Sequence, residues 1–525
     1  MFKHAKPRTA VHLHLFYIDT IDEFVEYLKN IPEYFDIYIS CQENVDQNFI
    51  QKKVKRIRRV HDIVIRVTPN RGRDIAPFYA LFREELKNYD YLLHIHSKKS
   101  LYSGEEAVAW RRYSLDGVLK DKKTVSKIFS LFDDKSSVGM VYGEPPKDLP
   151  EYVYHWLSNK TKSKMLLDRM GIPFEDMMFL YPTGSFFWAR TEAIKPLFDL
   201  KLSYEDFDEE AGQIDGTLAH ALERVVAWVN NKRGYDSLIF NPDDSSMSRN
   251  ISYNPFKAYF GNNLELSTRI IMEHDVITFD LYDTLITRKV YKPEDIVLIV
   301  LQKVEDIIPN DCDFILKRRE AEEKALVQRG IKYTLDDIYD ELASLTGMTS
   351  DVIYRIKELE IQTEYELSIP RRDVVQLFNI AKEAGKKTII MGDSFLSSDV
   401  MTKILSRCGI TGYDELWLSN EKGCSKNDGS MWESFFEDYS DADTINVGDD
   451  PYSDIQLLSN IRKDVLFLMS PRNEFLLSKD YKLLEEYSNM SAESSLKLGV
   501  LVNEKVYNSP YALKDNTGDV LVTTK

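Results

Sequence analysis

The chain has 525 residues, a length that exceeds one hydrophobic core and indicates two or three domains. Its formal net charge of −17 argues against a nucleic-acid-binding protein, because such proteins are normally basic. Hydrophobic residues make up 43% of the chain, enough for packed interiors, so we expect disorder only near the termini.

Cysteine usage favours a reducing compartment, and hydropathy argues against a signal peptide and a membrane-spanning helix. The four cysteines, Cys41, Cys312, Cys408 and Cys424, show no CxxC spacing, which argues against a disulfide framework or a zinc site. The opening residues, MFKHAKPRTA, are too polar for a signal peptide, and no run of eighteen apolar residues exists. We therefore expect a cytoplasmic protein without a transmembrane helix.

The N-terminal half alternates strand-like runs with amphipathic helical stretches. The strand-like runs are AVHLHLFYI, FDIYIS, DIVIRVTP, YDYLLHIHS, SSVGMVYG and GSFFWAR. Apolar strands separated by helices predict an α/β domain, doubly wound around a mostly parallel sheet, over residues 1–245.

The phrase NRGRDIAPF (70–78) follows a strand and opens a helix. Glycine permits close backbone approach, helix N-termini favour phosphates, and arginines add charge-assisted donors. Asn70, Arg71, Arg73 and Asp74 are therefore candidate substrate-binding residues. A tight strand-to-helix turn explains the phrase equally well.

The phrase YDYLLHIHSKKS (89–100) ends a buried strand with two histidines and two lysines. His94 and His96 face the same side at a period of two, so they are candidate metal ligands, better suited to Mn²⁺ than to Mg²⁺. Lys98 and Lys99 are candidate ligands of a diphosphate. The alternative is a buried, hydrogen-bonded histidine followed by a solvated lysine pair.

Two further stretches carry candidate functional residues. Glu210 and Asp215, in DFDEEAGQIDGTLAHALER, are candidate general bases that would deprotonate an acceptor hydroxyl; Asp215 alternatively caps the following helix. The basic run QKKVKRIRRV (51–60) is a charged helix face that could also hold the protein against an anionic membrane surface.

Several of these phrases resemble, in order, the rhamnan synthesis protein F family over about residues 8–240: GRDIAPF, HIHSKKS, WRRY, YPTGSFFWAR and GQIDGTLAHALER. The resemblance implies a GT-A-like glycosyltransferase of cell-surface polysaccharide synthesis. It implies a nucleotide-sugar donor, with dTDP-L-rhamnose suggested by the family name, and a glycan or lipid-linked oligosaccharide acceptor. GT-A enzymes usually hold a divalent metal, Mn²⁺ or Mg²⁺, with a DxD acid pair, and this chain has HIH at that position.

A turn-rich passage leads into a second α/β series. Residues 246–273 are predicted as a linker, residues 274–475 as a second domain, and residues 476–525 as a helical extension and tail. The strand-like runs are DVITFDLY, KKTIIMGDS, YDELWLSN, DTINVGDD and DVLFLMS. About a hundred residues of helical pattern separate the first two, which predicts a helical cap over about residues 289–385.

Acidic residues follow three strands of this second series. Asp280, Asp393 and Asp449 lie at strand ends, Asp454 follows one turn later, and Lys426 lies between them in the sequence. Because ligands of open parallel sheets bind at the carboxyl ends of strands, these groups could hold Mg²⁺ and a phosphate while a carboxylate attacks. Individually, each acid could equally be a solvated turn residue.

The phrases DLYDTL, SKNDG and GDDPYSD, with the strand ending at Gly392 and Asp393, resemble the motifs of the haloacid dehalogenase (HAD) superfamily over roughly residues 274–470. The resemblance implies a HAD Rossmann-like fold with a C1 cap. It implies that Asp280 is the nucleophile and that Lys426 and the residues around Gly392 and Asp393 bind the phosphoryl group. The Mg²⁺ ligands would be Asp280, the backbone carbonyl of Tyr282, and Asp449, supported by Asp454.

Two positions depart from the HAD pattern. HAD phosphatases carry a general acid/base aspartate two residues after the nucleophile, where this chain has Tyr282, and Asp283 points another way along an extended segment. Gly392 replaces the usual Ser or Thr. Since a missing general acid/base typically slows turnover by about 10²–10⁴-fold, we expect weak phosphatase activity or none.

The sequence therefore favours a glycosyltransferase domain, of the rhamnosyltransferase kind, fused to a HAD-like domain of weak phosphatase activity. Two alternatives stay open. One is a HAD phosphatase of phosphorylated sugars with a substrate-recruiting N-terminal domain. The other is a non-catalytic scaffold in a polysaccharide assembly complex.

Overall fold

The computed structural model describes residues 8–97, 104–145, 149–248, 259, 261–309, 312–478 and 491–512. It divides the chain into two units, Met1–Lys257 and Ala258–Lys525. No helix among the described residues is long and apolar enough to cross a membrane.

The N-terminal unit is built on one eight-stranded sheet with the order β3-β2-β1-β4-β6-β5-β7-β8. Strands β6 and β8 run antiparallel to their neighbours and the other pairings are parallel, as the mostly parallel prediction required. The strands are β1 (Thr9–Leu15), β2 (Phe35–Cys41), β3 (Val60–Val67), β4 (Tyr91–His96), β5 (Val138–Gly143), β6 (Phe187–Arg190), β7 (Asp236–Phe240) and β8 (Met247–Ser248).

Eight α-helices accompany this sheet in the described part of the unit. They are α1 (Ile21–Leu28), α2 (Gln47–Val54), α3 (Arg83–Leu86), α4 (Gly104–Leu119), α5 (Lys122–Asp134), α6 (Lys160–Met170), α7 (Thr191–Asp199) and α8 (Leu218–Lys232). Every residue of β1, β2 and β4 is buried, because these central strands are covered on both faces.

The C-terminal unit contains a five-stranded, wholly parallel sheet with the order β13-β12-β9-β14-β15. A separate antiparallel pair, β10 with β11, flanks the cap. The strands are β9 (Val276–Asp280), β10 (Ile286–Arg288), β11 (Ser368–Pro370), β12 (Lys387–Gly392), β13 (Glu415–Leu418), β14 (Thr444–Gly448) and β15 (Asp464–Phe467).

The helices of this unit continue the numbering. They are α9 (Leu264–Met272), α10 (Ile296–Val304), α11 (Phe314–Arg329), α12 (Leu335–Thr346), α13 (Ser350–Leu367), α14 (Arg372–Glu383), α15 (Ser398–Arg407), α16 (Ser419–Lys422), α17 (Ser430–Asp438), α18 (Leu457–Asn460), α19 (Pro471–Leu477) and α20 (Ala492–Gly499).

The cap consists of α10–α13, which lie between β10 and β11 in the sequence. It ends at Leu367, earlier than the predicted boundary near residue 385, because α14 packs on the sheet instead: Phe378 makes an edge contact with Phe279 of β9, with ring centroids 5.5 Å apart.

One predicted boundary needs correction at the edge of this unit. The predicted linker (246–273) contains α9, which begins with Asn263 as N-cap and buries Ile271 in the core. The predicted helical extension and tail (476–525) contains α20, and Asn503 and Asn508 beyond it are buried and hydrogen-bonded to β10 and β11. Residues 491–512 are thus part of the folded unit.

Candidate functional site

Three neighbouring strands of the C-terminal sheet bring the predicted acids to one edge. Asp280 is the last residue of β9, Asp393 directly follows β12, and Asp449 directly follows β14. Because β9 lies between β12 and β14 and all three are parallel, their carboxyl ends meet.

Lys426 lies between Asp280, the candidate nucleophile, and Asp454 and binds both carboxylates. Its Nζ donates a hydrogen bond to Asp280 Oδ1 and another to Asp454 Oδ1 over 2.7 Å, and all three side chains are buried. Gly448 makes this packing possible, since a Cβ at that position would lie 2.5 Å from the Cβ of Asp454. The sequence-predicted lysine and acids therefore form one cluster.

The same cluster could hold a divalent cation. One ligand oxygen each from Asp280, Asp449 and Asp454 lie within 4.8 Å of one another, and Thr284 Oγ1 orients Asp449 by donating to its Oδ1 over 2.8 Å. The donor set is all oxygen, which suits Mg²⁺.

The electrostatics of the cluster also fit a bound cation. Burial raises the pKa of Asp449 well above its ordinary value, and the nearby carboxylates of Asp280, Asp283 and Asp454 raise it further. Burial likewise raises the pKa of Asp454 to about 7 although Lys426 opposes the shift. Two buried acids and the partly buried Asp449 face one ammonium, and a divalent cation would lower the cost of holding all three acids ionised together.

Tyr282 occupies the position where a HAD phosphatase carries its general acid/base. Its hydroxyl lies 3.4 Å from Ser394 Oγ, and the guanidinium of Arg288 lies 4.2 Å from the centroid of its ring. Arg288 in turn donates to Glu364 of the cap over 2.8 Å. Burial raises the pKa of Tyr282, so the phenol stays protonated at neutral pH and cannot serve as a base.

Asp283 does not replace the missing base. It adopts a left-handed backbone conformation with φ of 58°, and its carboxylate accepts a hydrogen bond from Thr287 Oγ1 over 2.6 Å. The backbone carbonyl of Asp283 accepts from Arg371 over 2.5 Å. Asp283 is therefore a turn residue that fixes the loop after β9.

Asp393 was predicted to bind substrate, and in the structure it orients the loop that carries Lys426. Its carboxylate accepts from Ser425 Oγ over 2.7 Å, from Asn427 Nδ2 over 2.9 Å and from the Lys426 backbone N–H over 3.2 Å. Gly392 is required sterically, because a Cβ there would lie 2.7 Å from the Cβ of Leu281. Close packing against the β9 loop explains this departure from the HAD pattern.

Sequence reasoning missed four side chains of this site: Thr284, Arg288, Glu364 and Ser425. Thr284 and Arg288 lie within DLYDTLITR, so closer reading of that phrase could have suggested them. Glu364 comes from the cap, eighty-four positions after Asp280, and no local pattern connects it to the site.

The histidines of the N-terminal unit lie on two adjacent strands in register. His12 of β1 pairs with His94 of β4, and His14 pairs with His96. His94 Nδ1 lies 2.9 Å from His12 Nδ1, and His94 Nε2 lies 3.0 Å from a carboxylate oxygen of Asp74. Both ring nitrogens of His94 are therefore engaged by protein groups, which does not fit the predicted metal ligation by this residue.

His96 has a different partner. Its Nε2 donates to the carbonyl of Gly184 over 2.7 Å, and the N–H of the same glycine donates to Glu223 over 2.5 Å. These two hydrogen bonds connect the end of β4 to α8 through Gly184. Lys98 and Lys99, the predicted diphosphate ligands, lie outside the described residues.

Asp74 is buried and charged. Burial alone would raise its pKa, but His96 and the hydrogen-bonded His94 outweigh that effect and hold the pKa well below its ordinary range. Burial lowers the pKa of His14 to about 4 and that of His12 well below its ordinary value, so both are neutral at pH 7.

The arginines predicted to bind substrate hold a neighbouring loop instead. Arg71 Nε donates to the carbonyl of Phe207 over 2.7 Å, and Arg73 contacts Glu210 over 3.3 Å and His220 Nε2 over 2.7 Å. Asn70 is exposed.

The two predicted bases have protein partners as well. Glu210 pairs with Arg73. Asp215 accepts from Ser158 Oγ over 2.9 Å and from Asn159 Nδ2 over 2.7 Å, and it lies 3.3 Å from Arg224. Asp215 does not cap α8, because Thr217 is the N-cap residue. The base role of either acid stays a prediction.

Comparison with known families gives a match for the N-terminal unit. Residues 2–235 match the model of the family described as rhamnan synthesis protein F, which confirms the resemblance stated above. A protein named "Uncharacterized protein WxcX" from Xanthomonas campestris pv. campestris (strain B100) is 33% identical over 232 residues, which are 44% of this chain and 32% of the relative. The chain thus spans about a third of the length of this relative.

Solved structures similar to this chain include a HAD-hydrolase and a haloacid dehalogenase. The putative HAD-hydrolase YfnB from Bacillus subtilis aligns with 37% of this chain and 88% of its own, at 16% identity and a TM-score of 0.27. A 2-haloacid dehalogenase from Pseudomonas syringae pv. Tomato DC3000 aligns with 38% and 87%, at 14% identity and a TM-score of 0.28. Because both TM-scores lie below 0.5, our interpretation of the C-terminal site rests on its own residues.

Proposed function

We propose that the N-terminal unit transfers a sugar, of the rhamnosyl kind, from a nucleotide-sugar donor to a glycan or lipid-linked acceptor in polysaccharide synthesis. The observation that carries this proposal is the family match over residues 2–235. A GT-A-like site at the carboxyl ends of β1, β2 and β4 agrees with the general rule that open α/β sheets bind ligands there.

We further propose that this unit binds its donor without using His94 as a metal ligand, since both of its ring nitrogens have protein partners. Any Mn²⁺ or Mg²⁺ would need other ligands.

Calorimetric titration of the full-length protein with UDP, GDP and dTDP, each with and without Mn²⁺ or Mg²⁺, tests both statements. Selective binding of one nucleotide supports a donor site, and selectivity for dTDP supports rhamnosyl transfer. Absence of binding by all three would contradict the glycosyltransferase proposal. Strict metal dependence that disappears in His94→Ala would contradict the second statement.

For the C-terminal unit we propose slow, Mg²⁺-dependent phosphoryl transfer. The observation that carries it is the buried cluster of Asp280, Lys426, Asp449 and Asp454. The three acids would hold Mg²⁺, which when bound supplies positive charge against phosphoryl oxygens.

The residues of the chain then have distinct roles. Asp280 would attack phosphorus and form an aspartyl-phosphate as the leaving group departs, and the ammonium of Lys426 would pair with the transferred phosphoryl group. Tyr282 can donate a hydrogen bond but cannot deprotonate water, so hydrolysis of the aspartyl-phosphate would be slow. Substrates with leaving groups of low pKa would react best.

Release of phosphate from p-nitrophenyl phosphate and from sugar 1-phosphates, measured with and without Mg²⁺, tests this proposal. Asp280→Asn should abolish the release and leave sugar transfer intact. Survival of phosphatase activity in Asp280→Asn would show that another residue is the nucleophile. If the wild type shows phosphatase activity but no sugar transfer, the alternative in which the N-terminal unit only recruits substrate is favoured. If the wild type shows neither activity, a scaffold is favoured.

A further inference from the structure

Five buried side chains of the N-terminal unit form a continuous hydrogen-bonded chain across three strands. His14 Nδ1 lies 2.9 Å from Ser40 Oγ, Ser40 Oγ lies 3.3 Å from His12 Nε2, and His12 Nδ1 lies 2.9 Å from His94 Nδ1. The chain ends where His94 Nε2 meets Asp74 at 3.0 Å. His12, Ser40 and His94 are wholly inaccessible to solvent.

The negative charge of Asp74 determines which atom donates and which accepts at each link of this hydrogen-bonded chain. An ionised carboxylate only accepts, so His94 donates to it from Nε2, and when that is its only ring proton His94 presents a lone pair at Nδ1. His12 must then donate from Nδ1 to His94, which leaves His12 Nε2 as an acceptor for the hydroxyl of Ser40. The Ser40 oxygen in turn accepts the proton of His14 Nδ1, and each link determines the next.

The direction fixes the tautomer of His14, the first member of the chain. With its proton on Nδ1, His14 carries an unshared lone pair on Nε2. That nitrogen has no hydrogen-bond partner among the described residues, and 5% of the residue is exposed. His14 is the penultimate residue of β1, so it lies at the carboxyl edge of the sheet.

We propose that His14 Nε2 is a fixed hydrogen-bond acceptor of the donor-binding site and recognises an O–H or N–H group of the nucleotide sugar. Asp74 is the positioning residue, since it acts on the ligand only through His94, His12 and Ser40. This inference rests on the proposed glycosyltransferase function and adds the group that would contact the donor. A buried acceptor with one allowed tautomer discriminates against ligands that lack the matching donor group, because the nitrogen would then lose its water without a partner.

The tautomer can be measured without a ligand. Long-range ¹H–¹⁵N correlation spectra of the full-length protein with labelled histidine, at pH 7.5, should show His14 protonated on Nδ1 only, with assignment by His14→Phe. Asp74→Asn should weaken the preference, because its amide can donate to His94 and reverse the chain. Protonation of His14 on Nε2 in the wild type, or no response to Asp74→Asn, would overturn the inference.

Binding gives the second readout. Titration of the labelled protein with the nucleoside, the nucleoside diphosphate and the complete nucleotide sugar should shift the His14 Nε2 resonance. A shift with the nucleoside identifies a base or ribose donor group, and a shift only with the nucleotide sugar identifies a sugar hydroxyl. His14→Phe should weaken binding by about 5- to 20-fold, the loss of one hydrogen bond.

His61→Phe is the matched control, because His61 is paired with Asp36 near the beginning of β3 and away from the carboxyl edge. It should leave binding unchanged. Equal binding by wild type and His14→Phe would overturn this inference alone. Failure of the wild type to bind any nucleotide would instead overturn the proposed function, whatever the tautomer of His14.

Discussion

At the scale of single residues, the C-terminal site is defined as much by Tyr282 as by Asp280. The phenol lies between Ser394 and Arg288, in a setting that raises its pKa and removes it as a base. In the proposed reaction, the cluster would supply the groups for phosphoryl attack but not a group that activates water.

Replacement of Tyr282 by aspartate should therefore increase phosphatase turnover. A general acid/base contributes about 10²–10⁴-fold, so we expect a rise in kcat toward that range with p-nitrophenyl phosphate and Mg²⁺. Tyr282→Phe is the control and should give no increase, since it opens space without adding a base. A rise in both variants would point to relief of steric crowding.

Lys426 pairs with two buried acids, Asp280 and Asp454. Lys426→Met should destabilise the C-terminal unit by about 3–5 kcal/mol in metal-free buffer, because Asp280 and Asp454 would lose their buried partner. Calorimetric melting with and without Mg²⁺ measures this effect. Mg²⁺ should recover part of the loss, and an unchanged melting temperature in the absence of metal would contradict the ion pairing.

The neutral histidines make the N-terminal unit sensitive to acid. The pKa of His14 falls from 6.5 in the unfolded chain to about 4 in the folded unit, so below pH 6.5 the unfolded state binds more protons. Stability is thus highest above pH 6.5 and falls as the pH drops to 4, by about 3 kcal/mol for this group.

Chemical unfolding of the N-terminal unit at several pH values between 4 and 7.5 measures this slope. His14→Phe should reduce the slope, because one proton-binding group of the unfolded state is lost. His61→Phe is the control, since it leaves His14 and its hydrogen-bond partners in place. Equal slopes in wild type and His14→Phe would show that His14 is protonated in the folded state.

At the scale of structural elements, the segment 491–512 supports the loop that follows β9. Asn503 Nδ2 donates to the carbonyls of Arg288 and Val290, each over 2.8 Å, and Asn508 Nδ2 donates to Pro370 over 3.0 Å. Arg371, wholly buried, donates to the carbonyls of both Asn508 and Asp283. The segment therefore contacts the pair β10–β11, which carries Arg288 beneath Tyr282.

Removal of residues 491–525 should consequently impair the C-terminal unit. We expect loss of its thermal transition, because several buried backbone carbonyls would lose their partners at about 1–3 kcal/mol each. The milder Asn508→Ala should lower its melting temperature by several degrees. Removal of residues 513–525 alone is the control, and equal effects from both truncations would contradict this role for 491–512.

At the scale of the whole molecule, each of the two units carries its own group of candidate site residues. Each has its own sheet, and each sheet collects its candidate groups at the carboxyl ends of parallel strands. A ligand should therefore stabilise only the unit that binds it.

Calorimetry of the full-length protein should show two transitions that respond separately. A nucleotide at about 100 times its Kd should stabilise the N-terminal transition by about 2.7 kcal/mol, and Mg²⁺ should raise only the C-terminal one. Asp449→Asn is the control, since it should remove the Mg²⁺ response and leave the nucleotide response. A shift of both transitions by one ligand would contradict independent sites.

The sequence by itself determined the two α/β series, the cap and the acids of the C-terminal site. These features follow from local pattern: strands that are buried on both faces read as apolar runs, and residues at the carboxyl ends of parallel strands necessarily meet. β7 was not predicted, because YDSLIF is short and contains both polar and apolar residues.

Only the tertiary structure decided which polar side chains are available to a ligand. His94, Arg73 and Asp215 are equally plausible ligands or bases in the sequence, yet each is engaged by partners from distant segments. His14, which the sequence analysis passed over, lies at the sheet edge with no partner for its Nε2 among the described residues. The physical reason is that a side chain's free lone pairs depend on every group packed around it, and residues far apart in the chain supply most of those groups.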